Sequence, residues 1–352
     1  MEPVTHFLTG ACLARTGFNR KTAYAVLAMT LAAEAPDIDV LWSLRGPVPG
    51  FEHHRGITHT FLGAPLVALA VTVLVWLWHR TRREPPILTP RWAWVWCLSL
   101  LAVLSHIFLD WTNNYGVRPF SPFNPRWYSL DIAFILEPVI FAALLTALVV
   151  PAIFGLADRE IGAGKPLFRG RGWAMAALVL VGIDLGVRAV EHHRALRLVG
   201  NTRFGDQPML RAGAEPYPVN PFLWFAVVET PGYYQTGSIN SWKETVDTND
   251  QDGVIFKPPV TPAVAAAKRS WLGRVYLDWA RFPVVTDRGP AGLVVADELA
   301  PEPRDTAVQF RDLRFAYSVL SRGRAAGALG AFVYVTPAGA IDAMVMNNRL
   351  QK

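Results

Sequence analysis

Cysteine and charge are both scarce in this chain of 352 residues. The two cysteines, Cys12 and Cys97, lie in apolar stretches, so neither a disulfide framework nor a cysteine-ligated zinc site is expected. Charged residues make up 18% of the sequence and apolar residues 52%, which favours a membrane protein over a soluble enzyme. The N-terminus has no basic residue before Arg15, so no cleaved signal peptide is predicted.

The basic residues also lack the clustering that nucleic-acid binding requires. The net charge is +6, but arginine and lysine are spread over short loops rather than gathered in one stripe. Basic loops between apolar runs are typical of membrane topology. The expected partner is therefore the lipid bilayer, and no nucleic-acid partner is expected.

Four apolar runs are long enough to cross the hydrocarbon core of a bilayer, which needs roughly 20 residues. These runs are residues 61–78, 92–109, 132–157 and 173–190. Tryptophans cluster near the connected ends of the first two runs, as in an aromatic belt. Residues 5–14 and 22–33 are shorter, and they predict a helical hairpin packed against the bilayer or partly within it.

The rest of the chain has the pattern of a water-soluble α+β module. Thr261, followed by proline, predicts the start of one helix whose apolar face continues to Trp279. Residues 331–336 and 341–346 predict a β-hairpin. Alternation with a register break over residues 308–317 predicts a strand with a bulge.

We therefore expect a polytopic α-helical membrane domain at residues 1–198 and a soluble α+β domain at residues 199–352. Three connections of the first domain are rich in basic residues, which the positive-inside rule places in the cytoplasm. These residues are Arg15, Arg20 and Lys21, then Arg80, Arg82, Arg83 and Arg91, then Arg159, Lys165, Arg169 and Arg171. The other helix ends, and the soluble domain, are then predicted on the outer face.

Histidines and acidic residues of the membrane domain gather at those outer ends. Five separate chain positions contribute them: His6; Asp37 and Asp39; His53, His54 and His59; His106 and Asp110; Asp131 and Glu137. One such group would be unremarkable in any protein, but five groups on a common face predict a site at which nitrogen and oxygen donors converge.

Two pairs within this set have the spacing of metal ligands. His106 and Asp110 lie one helical turn apart on one face, at the end of an apolar span where ionisable groups are costly and usually functional. Asp37 and Asp39 follow a helix that proline helps to end. In an extended segment the two carboxylates would face the same way, so both could meet one metal or straddle two.

A third group of candidate site residues lies on either side of Gly56. Gly56 permits a sharp turn between His54 and His59, so that both imidazoles could reach one site. Arg55 could pair with a phosphate or with a liganding carboxylate. Glu137 is a candidate general base.

The candidate ligands contain no sulfur, which suits a hydrolytic Zn²⁺ site, or a Mn²⁺ site, with an open position for water. The expected metal ligands are His6, Asp37, His54, His59, His106 and Asp110. Because this set exceeds the four groups of one closed zinc site, either one or two ions could bind. Asp39 would bridge or orient, and Arg55 would bind an anionic oxygen.

These motifs also carry a family resemblance. They are Thr5-His6, Pro36-Asp37-Ile38-Asp39, His54-Arg55-Gly56-Ile57-Thr58-His59 and Ser105-His106-Ile107-Phe108-Leu109-Asp110. In this order they resemble the YdjM-type family of predicted membrane-bound metal-dependent hydrolases over roughly residues 1–140. The resemblance implies a multi-pass protein of the bacterial inner membrane with a hydrolase-like metal site. A more distant likeness is to the metal sites of zinc-dependent phospholipases C and single-strand nucleases.

The resulting hypothesis is a membrane-bound metal-dependent hydrolase that cleaves a phosphoester, such as a lipid or an envelope precursor. The alternative is a non-catalytic metal-binding membrane protein or a transporter. A transporter would need polar residues along its spans, and residues 61–78 contain almost none. A haem protein with paired histidines is a third hypothesis.

Overall fold

The computed structural model describes residues 1–160, 162, 170–248, 253–294, 302–316 and 329–351. Its first seven α-helices are α1 (Pro3–Arg15), α2 (Ala25–Glu34), α3 (Pro47–His53), α4 (Ala64–Thr81), α5 (Trp92–Thr112), α6 (Pro138–Glu160) and α7 (Arg171–Asn201). Three 3-10 segments lie between them, Phe18–Arg20, Ala35–Arg45 and Ile57–His59. Glu2 caps the first helix, because its carboxylate accepts from the backbone N–H of Thr5 at 2.9 Å.

Helices α4 to α7 are long and apolar enough to cross a membrane, which confirms the predicted helical membrane domain. The third span begins later than expected. Residues 132–137 are not helical, because the backbone N–H groups of Ile132 and Ala133 both donate to the carbonyl of Thr112 at the end of α5. The helix then begins at Pro138. Most of the third basic connection, residues 161 and 163–169, lies outside the described residues.

Small residues let the two short N-terminal helices approach each other closely. A Cβ atom on Gly10 of α1 would lie 2.5 Å from the carbonyl oxygen of Met29 and 2.6 Å from Cβ of Ala33, both on α2. The core around them is largely alanine, with Ala28, Ala32 and Ala33 fully buried. Close packing of backbones through small residues is typical of helices in membranes. Helix α2 also packs against α5, which carries the candidate ligands His106 and Asp110.

The chain forms two compact units. The first comprises Met1–Asp39, Arg55–His192 and Pro216–Pro221, and the second comprises Val40–His54, His193–Glu215 and Phe222–Lys352. Residues 40–54 therefore interrupt the first unit and belong to the second.

The second unit contains two five-stranded sheets, which confirms the predicted α+β domain. The strands of the first sheet are β1 (Arg211–Pro216), β2 (Leu223–Glu229), β3 (Tyr233–Asn240), β4 (Thr245–Asp247) and β5 (Val254–Phe256). The second sheet has the order β10-β9-β8-β7-β6. Its strands are β6 (Pro283–Pro290), β7 (Thr306–Asp312), β8 (Ala331–Val335), β9 (Ile341–Met346) and β10 (Arg349–Gln351). Trp224 and Ile239 of the first sheet pack in one core with Ala195 and Val199 of α7.

The predicted hairpin is confirmed by the antiparallel pairing of β8 with β9. The single helix predicted from Thr261 to Trp279 is instead two helices, α8 (Pro262–Arg269) and α9 (Trp271–Trp279). Ser270 separates them with an extended backbone, and its hydroxyl accepts from the N–H of Gly273 at 3.0 Å. This serine cap favours a new helix start over continuation.

The strand predicted over residues 308–317 ends earlier than its apolar pattern indicates. Strand β7 ends at Asp312 and is followed by a 3-10 turn rather than a bulge. The Asp312 carboxylate accepts from the backbone N–H of Arg314 at 3.0 Å, which stabilises this turn. Residues 317–328 lie outside the described residues. A short helix, α10 (Ala291–Val294), follows β6.

Candidate metal centre

Four residues from three chain segments bring ligand atoms together in the first unit. Asp37 comes from the 3-10 segment after α2, His59 from the 3-10 turn before α4, and His106 and Asp110 from successive turns of α5. One ligand atom from each lies within 4.8 Å of the others, so the group could hold a metal ion. Both histidines and Asp110 are buried, while the Asp37 side chain is 21% exposed.

Five of the six separations between these atoms fit a tetrahedral ion, and the sixth, between Asp37 and Asp110, is within 4.8 Å. Nε2 of His59 lies 3.0 Å from Nε2 of His106, and Oδ1 of Asp37 lies 3.4 Å and 3.6 Å from these two nitrogens. Oδ2 of Asp110 lies 3.5 Å from each of them. Zinc bonds of about 2.0–2.1 Å in tetrahedral geometry place neighbouring donors about 3.3–3.4 Å apart. The five distances bracket that value.

Outward hydrogen bonds orient both imidazoles toward this centre. Nδ1 of His106 donates to the carbonyl oxygen of Ala33 at 2.7 Å, since a carbonyl can only accept. Nδ1 of His59 lies 3.2 Å from Oδ2 of Asp39 and 3.1 Å from the hydroxyl of Thr58. A proton on Nδ1 leaves the Nε2 lone pair free for an ion, as in carboxylate–histidine–zinc arrangements. Asp39 therefore orients His59 and is not among the four grouped residues.

Arg55 holds the fourth ligand. Its Nη2 donates to Oδ1 of Asp110 at 2.8 Å, and its Nη1 donates to the side-chain oxygen of Asn113 at 3.1 Å and to the carbonyl of Gly116 at 2.8 Å. The N-terminal amine of Met1 also contacts Oδ1 of Asp110. With Oδ1 occupied in this way, Oδ2 is the oxygen directed toward the histidines. Of the two roles open to Arg55, the structure shows pairing with a carboxylate, that of the candidate ligand Asp110.

The electrostatic setting also favours a cation. Burial raises the pKa of the Asp37 carboxyl, but its hydrogen bond with His59 and its attraction to the two imidazoles outweigh burial and lower the pKa to about 2. Burial raises the pKa of Glu34 to about 7, and the carboxylates of Asp37 and Glu2 act in the same direction. Burial lowers the pKa of Arg55 to about 10, so it stays charged at neutral pH.

His6 lies beside the centre but outside the group of four. Its ring stacks on His106 with centroids 3.7 Å apart, and its Nε2 lies 3.3 Å from Oδ1 of Asp110. Burial and the neighbouring His106 lower the pKa of His6 well below its usual range, which keeps the imidazole neutral. Nδ1 of His6 is buried and has no hydrogen-bond partner among the described residues.

The remaining predicted site residues lie elsewhere. His54 belongs to the second unit and is not in the group of four. His53 packs against Trp42, with ring centroids 4.0 Å apart. Glu137 is fully buried and pairs with Nη2 of Arg188 at 2.8 Å. It also accepts from the N–H of Val219 at 3.0 Å, so its carboxylate has partners outside the metal-binding group.

Two contributions to the centre were not anticipated from the sequence. Asn113 is fully buried, and its side-chain oxygen accepts from Arg55 and from the N–H of Tyr115 at 2.9 Å. Its position three residues after Asp110, at the end of α5, is the signal that could have suggested this role. The carbonyl of Ala33 carries no such signal, because any residue has one.

Together these features define a class: a multi-pass helical membrane protein with a buried histidine and aspartate site that could hold a divalent ion. The model of the YdjM inner membrane protein family matches residues 1–195, more than half of the chain. The chain therefore belongs to the YdjM inner membrane protein family, which confirms the resemblance drawn from its motifs.

A curated relative is similar over part of its length. It is the uncharacterized protein YfhP of Bacillus subtilis (strain 168), which is 29% identical over 158 residues. The match covers 43% of this chain and 46% of the relative, so the chain spans about half the length of that protein. No solved structure matches the chain. The more distant likeness to zinc-dependent phospholipases C and single-strand nucleases therefore stays a prediction.

Proposed function

We propose that the protein is a membrane-bound metal-dependent hydrolase that cleaves a phosphoester with a metal-activated water. The observation that carries this proposal is the set of five donor distances that join Asp37 and Asp110 to the two imidazoles of His59 and His106, and these imidazoles to each other; they lie between 3.0 and 3.6 Å. Two imidazoles on their own would not require two carboxylates at such distances. A shared cation gives all four groups a common partner.

The donor chemistry favours a hydrolytic ion. Two nitrogens and two carboxylate oxygens without sulfur suit Zn²⁺, with Mn²⁺ as the second candidate, and His6 beside the group is a candidate ligand for a second ion in this proposal. An ion bound there would polarise a phosphoryl oxygen and lower the pKa of a water molecule. The partly exposed Asp37 marks the side from which water and substrate approach.

The chain's own residues keep the ligands in place during such a reaction. Asp39 fixes the ring of His59, and Arg55 fixes the carboxylate of Asp110. Because these partners are buried, the ligands have few other orientations open to them. Arg55 also adds a positive charge beside the centre, which favours an anionic substrate.

Exposed apolar side chains beside the ligands support a lipid-like substrate. Ile38 follows Asp37 directly and is 59% exposed, and Ile57 lies two residues before His59 and is also 59% exposed. Such side chains would contact acyl chains at the edge of a bilayer. A phosphoester with a lipid tail could then reach the centre laterally.

The proposed orientation follows from the basic residues. Arg15, Arg20 and Lys21 precede α2, whereas Asp37 follows it, so this helix separates basic residues from metal ligands. The positive-inside rule then puts the metal centre on the outer face of the inner membrane. The soluble domain is proposed on that face as well.

The test is elemental analysis of the full-length protein purified in detergent, together with assays on phosphodiesters and phospholipids. His106→Ala and Asp110→Ala should each lower the bound metal to background and abolish hydrolysis. His193→Ala is the matched control, because His193 is exposed and is not in the group of four. It should keep both properties.

Two outcomes would contradict the proposal. Full metal occupancy in the His106→Ala/Asp110→Ala double variant would exclude this centre. Stoichiometric metal with no turnover of any phosphoester would favour the non-catalytic metal-binding alternative instead. Near-ultraviolet circular dichroism checks that the soluble domain keeps its native packing in each variant.

A further inference from the structure

Residues 40–54, here called the connecting segment, begin and end at the metal centre along the chain. Asp39 precedes the segment and orients His59. Arg55 follows the segment and holds Asp110. Both residues belong to the first unit, whereas the whole connecting segment belongs to the second. Any displacement of the segment therefore acts, through two peptide bonds, on both residues that orient the ligands.

A hydrogen bond closes the two ends of the segment. The backbone N–H of Arg55 donates to Oδ2 of Asp39 at 2.7 Å, the same oxygen that faces His59. Arg55 has a φ of 53°, in the left-handed region that is unfavourable for a non-glycine residue. Such a backbone conformation persists only where its surroundings impose it. The chain therefore leaves the connecting segment in a constrained geometry.

Within the second unit, the segment is held by α9. The ring of Phe51 packs 5.2 Å from the ring of Trp279 and 5.9 Å from that of Tyr276. Nε1 of Trp271 donates to Oε2 of Glu52 at 3.0 Å. Phe51 and Glu52 thus contact a helix that lies more than 200 residues further along the chain.

The last strand holds the other half of the segment. Oε1 of Gln351 accepts from the N–H of Val48 at 3.2 Å, and its Nε2 donates to the carbonyl of Arg45 at 3.4 Å. Nη2 of Arg349 donates to the carbonyl of Ser43 at 3.3 Å. All of these partners lie beyond residue 195, where the match to the family ends.

We propose that the C-terminal domain positions the metal ligands through the connecting segment, with Phe51 and Glu52 as positioning residues. Contacts with α9 and β10 fix the path of the segment, and its fixed ends hold Asp39 and Arg55 in the arrangement that directs His59 and Asp110 inward. A domain outside the family match thereby sets the metal affinity of the centre. The proposed effect on metal affinity rests on the proposed function, whereas the proposed effect on the position of Arg55 does not.

The experiment compares full-length variants in detergent. Phe51→Ala removes the ring contact, Glu52→Ala removes the acceptor for Trp271, and Glu52→Gln keeps an acceptor oxygen. Ile239→Ala is the control, because Ile239 is 1% exposed and lies in the other sheet of the second unit. The first readout is hydrogen exchange at the Arg55 amide in metal-free protein, and the second is the affinity and visible spectrum of bound Co²⁺.

In Phe51→Ala, the Arg55 amide should exchange its hydrogen about tenfold faster or more, because the hydrogen bond from this amide to Asp39 opens more often. The substitution should also weaken Co²⁺ binding about tenfold, the lower end of the effect of losing an outer-shell partner, and shift the ligand-field bands. Glu52→Ala should change both readouts in the same direction by a smaller factor. Glu52→Gln and Ile239→Ala should match the wild type.

Unchanged exchange at Arg55 in both Phe51→Ala and Glu52→Ala would overturn the proposal. An equal change in Ile239→Ala would also overturn it, since the effect would then be general destabilisation of the second unit. If the wild type binds no Co²⁺, the proposed function fails while the exchange experiment still decides the positioning role. If Phe51→Ala does not fold, the two Glu52 variants provide the same comparison.

Discussion

Replacing Asp39 with asparagine tests how far an outer hydrogen bond controls the metal centre. The carboxylate lies 3.2 Å from Nδ1 of His59 and accepts from the N–H of Arg55 at 2.7 Å. Asparagine has nearly the same shape and keeps one acceptor oxygen, so the bond from Arg55 can remain. It loses the negative charge that fixes the His59 proton on Nδ1 and makes Nε2 a stronger donor to the ion.

The expected magnitude follows from those contacts. Loss of an outer-shell carboxylate beside a liganding histidine typically weakens metal binding about 10- to 100-fold. This factor corresponds to roughly 1.4–2.7 kcal/mol of binding free energy. Asp39→Ala should have the larger effect, because it removes the acceptor for the Arg55 amide as well. The fold should survive Asp39→Asn, since the amide oxygen can still accept from the N–H of Arg55.

The assay is competition for Zn²⁺ with a chromophoric chelator, carried out in the His59→Ala background as well as in the wild type. If Asp39 acts through His59, its replacement should change affinity far less once His59 is gone. A loss of affinity of the same size in both backgrounds would refute this reasoning. Unchanged affinity in the single variant Asp39→Asn would refute it equally.

Three further predictions concern stability, measured by denaturation of metal-free protein in detergent. With the Glu34 pKa raised to about 7, the unfolded state loses its proton first, so the free energy of unfolding should fall from pH 4.5 to about 7 and then level off. Glu34→Gln should remove that slope, and an unchanged slope would contradict it. Arg188→Met should cost about 3–5 kcal/mol by leaving Glu137 buried without its cation, and Glu137→Gln in the same chain should restore part of the loss. Gly10→Ala should cost about 1–3 kcal/mol, because its Cβ would meet the carbonyl of Met29 at 2.5 Å.

Hydropathy was sufficient to predict which parts of the chain form the membrane helices. It was not sufficient to predict the residue at which each helix begins. Each span is dominated by apolar residues, and burial in lipid leaves a helix as the way to satisfy its backbone. Residues 132–136 are also apolar, yet they form no helical turn, and the N–H groups of Ile132 and Ala133 donate to the carbonyl of Thr112 instead. Composition alone cannot distinguish these two outcomes, because the competing acceptor lies at least 20 residues away along the chain.

In the soluble domain, too, some elements could be predicted from the neighbouring sequence and others could not. The hairpin of β8 and β9 was predictable because a four-residue turn separates two alternating runs. The division of the predicted 261–279 helix at Ser270 was not predicted, although serine is a frequent cap, because the apolar spacing continues through it.

The metal centre was predictable as a convergence of side chains but not in its division of roles. His106 and Asp110 had to share a helix face, since they are four residues apart on a long span. The structure separates Asp37 from Asp39, and His59 from His54, by the path of the chain between them. That path depends on contacts with residues beyond 270, which no local motif contains.

The order in which the four donors emerge from the ribosome sets when the candidate metal centre can be complete. Asp37 and His59 are synthesised first, whereas His106 and Asp110 sit at the far end of the second long span, α5. A nascent chain that has threaded only α4 into the bilayer holds half of the coordinating atoms. If the group binds an ion as we propose, metallation is a late step of biogenesis that follows insertion of α5.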